Sequence, residues 1–316
     1  TGMLQVKTNI SLILILCLLL GACKNGNASS QNKSETSQDT IKAIKMPAIP
    51  QMMTAPEQRA DFLAKHYWDN VNFADTNYIH HPEVTEQAWA DYCDLLNHVP
   101  LETAQQAMRN VIDRTNVDKK VFTYITDLAD KYLYDPNSPM RNEEFYIPVL
   151  EAMIASPVLN ETEKIRPQAR LKLAQKNRIG TKALNFTYTL ASGAQGSLYQ
   201  LKAEYLLLFI NNPGCQACTE TIEGLKNAPI INQLLQEKKL VLLSIYPDEE
   251  LDEWKKHLSE FPNEWINGYD KKFTIKEEQV YDLKAIPTLY LLDKDKTVLL
   301  KDATAPAIEA YLMQHQ

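Results

Sequence analysis

The spacing of hydrophobic and polar residues divides the chain into three regions. Ile10–Leu20 is almost wholly apolar, whereas Lys24–Ser34 consists of small, amide and lysine residues without an apolar period. From about residue 55 onward, apolar positions recur first with helical spacing and later with strand-like spacing. This pattern predicts a short apolar leader, a flexible tether and a folded remainder.

The first part of the folded remainder has the periodicity of amphipathic helices. One helix is predicted to begin at Pro56, with Ala60, Leu63 and Ala64 on one face. Few residues between 55 and 178 favour strands, so we predict an all-helical domain over residues 55–180. Its further predicted helices are Thr85–Leu96, Glu102–Val111, Lys119–Leu133, Asn142–Ala155 and Glu161–Lys176.

The pattern changes at about Gly180, where the last of these helices is predicted to end. Leu184–Leu190 alternates, while Tyr205–Ile210 and Leu240–Tyr246 are continuous apolar runs of the kind found in buried strands. The order of elements predicts an α/β fold with a mixed sheet over residues 181–316. The remaining predictions are helices Glu249–Leu258, Ile275–Leu283 and Ala305–Met313, and a hairpin of strands Thr288–Leu292 and Thr297–Leu300.

Length and charge narrow the class of protein. A chain of 316 residues exceeds the usual size of one domain, which agrees with two domains and a non-globular segment. The net charge of -7 and the lack of a basic stripe argue against a nucleic-acid partner. Five cysteines are too few for a disulfide-dense scaffold, so their positions matter more than their number.

The leader has the features of a secretion signal. Lys7 precedes the apolar run, which is too short for a membrane span and ends in Leu20-Gly21-Ala22-Cys23. Small residues before a cysteine resemble the lipobox of bacterial lipoproteins. The resemblance implies a signal peptide over residues 1–22, acylation of Cys23 (palmitate or a similar chain) and cleavage before it. A plain signal peptide with a chance cysteine is the alternative.

The leader also sets the expected location of the folded part. We expect residues 23–54 to form the tether that holds the domains away from the membrane. The protein is expected in the cell envelope, at the periplasmic face of the outer membrane. The membrane itself is then a partner, through the lipid anchor.

Cys215-Gln216-Ala217-Cys218 stands where an apolar strand gives way to a helix. Unpaired N–H groups at a helix start stabilise a thiolate, so Cys215 is the predicted catalytic nucleophile and Cys218 the resolving thiol. A structural disulfide is an alternative in an oxidising compartment. A zinc site would need two further ligands, and a peroxidatic cysteine would need a different upstream pattern, so neither a metal nor a cofactor is expected.

A second motif, Ala285-Ile286-Pro287-Thr288, places proline at the start of an apolar strand and suggests a cis peptide bond beside the cysteines. With it, residues 183–316 resemble the thioredoxin-like family, in particular its membrane-tethered periplasmic branch. Ala183-Leu184-Asn185-Phe186 and Gly196-Ser197-Leu198 also carry the likeness. The resemblance implies that Ile286, Pro287 and Gly214 bind the substrate strand next to the nucleophile.

The helical half resembles an uncharacterised domain that precedes thioredoxin-like domains in many lipoproteins of Gram-negative anaerobes. Three motifs carry this likeness: Tyr67-Trp68-Asp69, Tyr132-Leu133-Tyr134 and Ser138-Pro139-Met140-Arg141-Asn142-Glu143. Because that domain has no established role in the family, the resemblance implies no function.

Other chemistry-bearing residues of the helical half have structural interpretations. His80-His81 precedes Pro82 and is expected in a surface turn rather than at a metal, because adjacent loop histidines rarely bind one ion without further ligands. Trp68 and Trp89 are expected in the core. Cys93 lies on the apolar side of a helix and is predicted to be a buried, inert thiol.

The chain departs from the family pattern at three positions. Gly214 replaces the common Trp before the first cysteine, and Phe209 and Thr221 stand where members place a buried acid. Glu220 and Glu223 are predicted to face solvent. Two hypotheses follow: a lipid-anchored thiol–disulfide oxidoreductase that reduces periplasmic protein disulfides with electrons from a membrane donor, or a non-catalytic interaction lipoprotein with a static disulfide.

Overall fold

The computed structural model describes residues 43–315, and between residues 43 and 174 it contains helices and no strand. This confirms the predicted helical character of the first half. The predicted signal peptide, Cys23 and the tether up to residue 42 lie outside the described residues. The helices are α1 (Pro56–His66), α2 (Pro82–Leu96), α3 (Leu101–Arg114), α4 (Lys119–Ala129), α5 (Glu143–Ala155) and α6 (Glu161–Ala174).

Side-chain caps fix where several of these helices begin. The Asn142 side chain accepts the backbone N–H of Phe145 at the start of α5, and Asn160 forms a capping box with Glu163 at the start of α6. Such caps satisfy backbone donors that have no partner inside the helix. The two helix starts are therefore encoded locally, and the α5 start is fixed directly ahead of Glu143.

An aromatic cluster forms the core of the helical half. Trp68 and Trp89 are buried, as predicted, and their ring centroids lie 6.1 Å apart. Tyr92 packs edge-on against Trp68, with a centroid separation of 5.5 Å. Cys93 is 2% exposed, which confirms the predicted burial, and burial raises the pKa of its thiol well above the ordinary value. This thiol is therefore protonated and shielded at neutral pH.

Residues 43–54, predicted as the end of the tether, have neither helix nor strand but contact the helical half. Ile44 packs against the helical core, and the Asn70 side-chain amide donates to the Lys45 carbonyl at 3.0 Å. The guanidinium of Arg59 donates to the Met53 carbonyl. This stretch is therefore held along the helices rather than standing away from them.

The second half contains a mixed sheet, as the predicted fold class requires. Its seven strands are β1 (Thr187–Leu190), β2 (Gln195–Ser197), β3 (Tyr205–Ile210), β4 (Leu240–Tyr246), β5 (Ile266–Tyr269), β6 (Thr288–Asp293) and β7 (Val298–Lys301). Their order in the sheet is β2-β1-β5-β4-β3-β6-β7. Strands β3, β4 and β5 run parallel, and the remaining neighbours pair antiparallel. The helices are α7 (Gln216–Lys226), α8 (Pro229–Gln236), α9 (Leu251–Lys256), α10 (Thr274–Glu277) and α11 (Ala305–Gln314).

The central strand β3 is buried on both faces, as its apolar run predicts. Leu207 and Phe209 pack into one core, with α7, α8 and α11, while Leu206 and Leu208 pack into the other, with Phe186. The alternation follows from the period of two residues along a strand. The end of β3 is thus fixed from both sides immediately ahead of the cysteine motif.

The predicted helix Ile275–Leu283 is wrong beyond Glu277. Gln279 has a positive φ of 51°, a conformation that a helix of L-residues does not sustain. The carbonyl of Val280 accepts a hydrogen bond from the Asn177 side chain at 2.7 Å instead of from a helical turn. Sequence reasoning also missed α8 and β5, the latter because its four residues include Asn267 and Gly268.

Within the described residues 43–315, the helical and sheet halves belong to one compact unit. The Lys301 side chain, 7% exposed, donates to the carbonyls of Ala174 and Lys176 at the end of α6. Arg178 pairs with Glu144 of α5 at 2.6 Å. None of the helices between residues 43 and 315 is long and apolar enough to cross a membrane.

Candidate functional site

The first cysteine of the motif lies at the start of α7. Cys215 is the N-cap residue, and its Sγ accepts the backbone N–H of Cys218 at 3.3 Å. The capping interaction replaces a hydrogen bond that the helix cannot provide. A negative charge on Sγ would strengthen this bond and interact favourably with the positive end of the helix. The position therefore suits a thiolate.

Gly214 precedes this cysteine with a φ of +74°. This left-handed conformation is accessible to glycine at little cost and is unfavourable for a residue with a Cβ. A Cβ at this position would meet no atom within 4 Å, so the backbone angle and not the space requires glycine. The backbone conformation at this position therefore favours glycine over the usual Trp.

The structure brings the second motif to the cysteines. The peptide bond between Ile286 and Pro287 is cis, as the sequence predicts, and the Ile286 carbonyl lies 3.9 Å from Cys215 Sγ. Strand pairing brings the two motifs together, because Ile210 at the end of β3 lies opposite Thr288 at the start of β6. The antiparallel register thus places residues about 70 positions apart at the same edge of the sheet.

The two thiols have different surroundings. Cys215 is partly exposed, whereas Cys218 is 2% exposed. Burial is the largest cause that raises the pKa of Cys218 to about 12, and the hydrogen bond with Cys215 raises it further. The backbone N–H of Asn212 acts in the opposite direction and lowers the pKa. Both thiols are free. At neutral pH Cys218 is therefore a protonated thiol behind a more accessible Cys215.

No carboxylate occupies the positions at which the family places its acid. Phe209 is fully buried and packs edge-to-face against Trp265, and the Thr221 hydroxyl donates to the Ala217 carbonyl at 2.8 Å. Glu220 and Glu223 are exposed, as predicted. A proton that leaves Cys218 therefore has no carboxylate at either position to receive it.

Sequence reasoning missed residues that support the turn between β3 and α7. The Asn211 amide is buried and donates to Ser244 Oγ of β4 at 2.8 Å. The Asn212 amide donates to Asp248 at 3.0 Å, and Lys276 pairs with the same carboxylate at 2.6 Å. No sequence pattern links these positions, since the contacts join residues of separate elements that only the fold brings together.

Residues 43–315 contain no cluster of three or more His, Cys, Asp or Glu side chains arranged to hold a metal ion. His80 ends a short 3₁₀ turn, and His81 Nδ1 lies 3.1 Å from Glu83.

Comparison with protein families gives two matches. Residues 203–298 match a family described as thioredoxin-like, and residues 22–177 match a domain of unknown function, DUF5106. Curated proteins give no match.

Solved structures extend the comparison to almost the whole chain. A thioredoxin-like protein from Bacteroides caccae is 84% identical, with a TM-score of 0.86 over 88% of this chain and 100% of that one. The C-terminal domain of an uncharacterized protein from Bacteroides fragilis is 69% identical over 43% of this chain and 98% of that one, with a TM-score of 0.43. The match to the B. caccae protein over its full length shows that the chain belongs to the thioredoxin-like family, with a DUF5106 region ahead of the thioredoxin-like domain.

Proposed function

We propose that the protein is a thiol–disulfide oxidoreductase that reduces protein disulfides, with Cys215 as the nucleophile and Cys218 as the resolving thiol. The thioredoxin-like fold supports a general redox function. The observation that carries the proposal is the position of Cys215 Sγ, at the start of α7 and 3.9 Å from the Ile286 carbonyl beside the cis proline. A partner strand that pairs with this backbone would present its disulfide to Cys215.

The reaction consists of two thiol–disulfide exchanges. The Cys215 thiolate attacks one sulfur of the partner disulfide, so a mixed disulfide forms and the partner's other sulfur leaves as a thiolate that takes up a proton. Cys218 then loses its proton and attacks Cys215 Sγ. The Cys215–Cys218 disulfide forms, the second partner thiol is released, and two electrons have passed to the partner. A membrane-bound dithiol donor would reduce the pair again.

The environment of Cys218 determines the order of these steps. A pKa of about 12 keeps Cys218 protonated while Cys215 attacks, which prevents two adjacent thiolates from forming together. With Phe209 and Thr221 at the acid positions, the second step lacks the carboxylate that removes the proton in other members. We therefore expect resolution of the mixed disulfide to be the slow step.

An insulin-reduction assay on the full chain tests the proposal. Cys215→Ser should lower the rate by about a thousandfold or more, because the attacking sulfur is absent. Cys218→Ser should accumulate a mixed disulfide with the substrate. Cys93→Ala is the matched control, since it removes a buried thiol without touching the site. Equal rates for native protein and Cys215→Ser would refute the proposal.

The second candidate function is a non-catalytic interaction module in which Cys215 and Cys218 form a static disulfide. It is favoured because Phe209 and Thr221, and not a carboxylate, occupy the positions of the family's acid. The reduction potential separates the two. A value below about -300 mV would support a static bridge, because such bridges resist reduction by thiol pools.

We further propose that the protein is acylated at Cys23 and held at the periplasmic face of the outer membrane. The motif Leu20-Gly21-Ala22-Cys23 at the end of the apolar leader supports this lipid anchor and location. Membrane fractionation of the native protein and Cys23→Ala is the test, with protease treatment of intact cells to distinguish the two faces. Native protein in the soluble fraction would contradict the anchor, and digestion in intact cells would contradict the periplasmic face.

A further inference from the structure

The loop that carries Ile286 and Pro287 is flanked by two residues whose side chains lead to the helical half. Lys284 lies two residues before Ile286, and Thr288 follows Pro287 directly. Between α10 and β6 the backbone has neither helix nor strand, so side-chain contacts hold this segment in place. What we infer from these contacts rests on the proposed function, in which the loop of Ile286 and Pro287 binds the partner strand.

The first contact joins Lys284 to the start of α5. Its Nζ lies 3.3 Å from Glu143 Oε2 and 3.0 Å from Asp282 Oδ2, and the lysine side chain is only 13% exposed. Burial alone would lower the pKa of Lys284, but the carboxylates of Glu143, Asp282 and Asp302 together outweigh it and raise the pKa. The lysine is therefore a paired charge in a weakly screened setting, where removal of one partner is costly.

The second contact runs through Asp302. The Thr288 hydroxyl donates to Asp302 Oδ1 at 3.0 Å. The Arg141 guanidinium donates to the Asp302 carbonyl at 3.0 Å and lies 3.3 Å from Asp302 Oδ2. Arg141 thus fixes both the backbone and the side chain of the residue that holds Thr288. Both Arg141 and Glu143 come from the DUF5106 region.

We propose that Arg141 and Glu143 are positioning residues, which hold the backbone of Ile286 and Pro287 opposite Cys215. The contact at Lys284 and the contact at Thr288 hold the loop on either side of the cis peptide bond. The helical half thereby sets how well the partner strand is bound, without touching the reacting sulfurs. The DUF5106 region is in this sense a part of the substrate-binding apparatus of the thioredoxin-like domain.

Glu143→Gln and Glu144→Gln form a matched pair for the test. The two glutamates are adjacent and lose the same charge, but Glu144 pairs with Arg178 and Gln105 and makes no contact with Lys284 or Thr288. We expect Glu143→Gln to speed amide hydrogen exchange in a peptide covering residues 284–290 by about tenfold, since exchange reports local opening. Glu144→Gln should leave exchange in this peptide within about twofold of native.

Kinetics on a disulfide-bonded peptide give the second readout. Glu143→Gln should raise KM by about fivefold with kcat within about twofold, because it weakens binding of the partner strand and leaves the sulfurs unchanged. Arg141→Gln should do the same, and it keeps the proposal testable if Glu143→Gln folds poorly. Alkylation of Cys215 by iodoacetamide, which needs no partner strand, should keep its native rate in both variants.

Native exchange at residues 284–290 in both Glu143→Gln and Arg141→Gln would overturn the inference, as would equal effects of Glu143→Gln and Glu144→Gln. Failure of the proposed function is separate. If the native protein reduces no disulfide but exchange still increases only in Glu143→Gln and Arg141→Gln, positioning of the loop stands and the proposed activity is wrong.

Discussion

Two cysteines of one motif differ because one caps a helix and the other lies inside it. Cys215 uses its sulfur to accept an N–H at the start of α7 and is partly exposed, whereas Cys218 is buried in the first turn. A helix start favours the charged form of a thiol, and burial favours the neutral form. These positions within a single turn agree with the proposed roles of Cys215 as the nucleophile and Cys218 as the resolving thiol.

Alkylation of Cys218 provides a test of its pKa. A raised pKa means less thiolate at a given pH, and below the pKa the thiolate fraction rises about tenfold per pH unit. In Cys215→Ser, the alkylation rate of Cys218 should therefore climb from pH 8 to pH 10 without a plateau, since burial is the largest cause of the shift. The unfolded variant is the control and should level off above about pH 8.5. A plateau near that pH in the folded variant would contradict the assignment.

Gly214 gives a prediction about backbone strain. Gly214→Ala should lower the free energy of unfolding by about 1 kcal/mol, because alanine pays for the left-handed φ while its Cβ meets no neighbour. Gly224→Ala, inside α7, is the control and should stabilise by roughly 1 kcal/mol through helix propensity, since its Cβ would lie 3.8 Å from that of Ala305. Urea denaturation measures both, and the same sign for the two would argue against this explanation.

At the scale of elements, the segment after α10 shows how tertiary contacts override a helical pattern. Asn177 is 3% exposed, and its side chain donates to the Val280 carbonyl at 2.7 Å and accepts the Leu184 N–H at 2.7 Å. One residue at the end of the helical half therefore joins the loop to the entry of the sheet. The loop that precedes the cis proline is held by such side-chain bonds and not by its own backbone.

Removal of the Asn177 side-chain amide should destabilise the folded protein. Asn177→Ala leaves the Val280 carbonyl and the Leu184 N–H without their partner, which should lower the free energy of unfolding by about 3 kcal/mol. Lys176→Ala is the control, because its bond to the Gln279 carbonyl is exposed and should be worth less than about 1 kcal/mol. Equilibrium unfolding in urea gives both values, and similar losses would show that the buried amide has no special role.

On the scale of the whole molecule, charged side chains join the two halves. Lys301 reaches the end of α6 and also pairs with Glu143, which pairs in turn with Lys284. Separation of the halves would leave these mostly buried charges without partners, at a cost that opposes independent unfolding. The boundary predicted at residue 180 stays a prediction about folding units.

Calorimetry addresses this coupling directly. We expect reduced full-length protein to unfold in one thermal transition, with a calorimetric enthalpy within about 10% of the van't Hoff enthalpy, as in two-state unfolding. The physical reason is that the ion pairs between the halves are lost together. A scan at two heating rates serves as the control for irreversible unfolding. Two resolved transitions would show that the halves unfold separately.

Periodicity and local chemistry were enough to predict most helices and the long strands. The buried runs of β3 and β4, the capped starts of α5 and α6 and the apolar faces of the helices depend on residues close together in sequence. The short β5 and the irregular segment after Glu277 were not predictable in this way. Their backbones are fixed by partners far away in the chain.

The sequence by itself determined the cysteine pair, the proline before β6 and the two-part organisation, because motif spacing and hydrophobic period are local properties. Only the tertiary structure decided how these parts meet. Strand register brings Ile286 to Cys215, and packing buries Cys218. Glu143 reaches Lys284 and Arg141 reaches Asp302 because folding joins surfaces that are 141 and 161 residues apart in the chain. A contact of that range depends on the whole fold and leaves no periodic trace in the sequence.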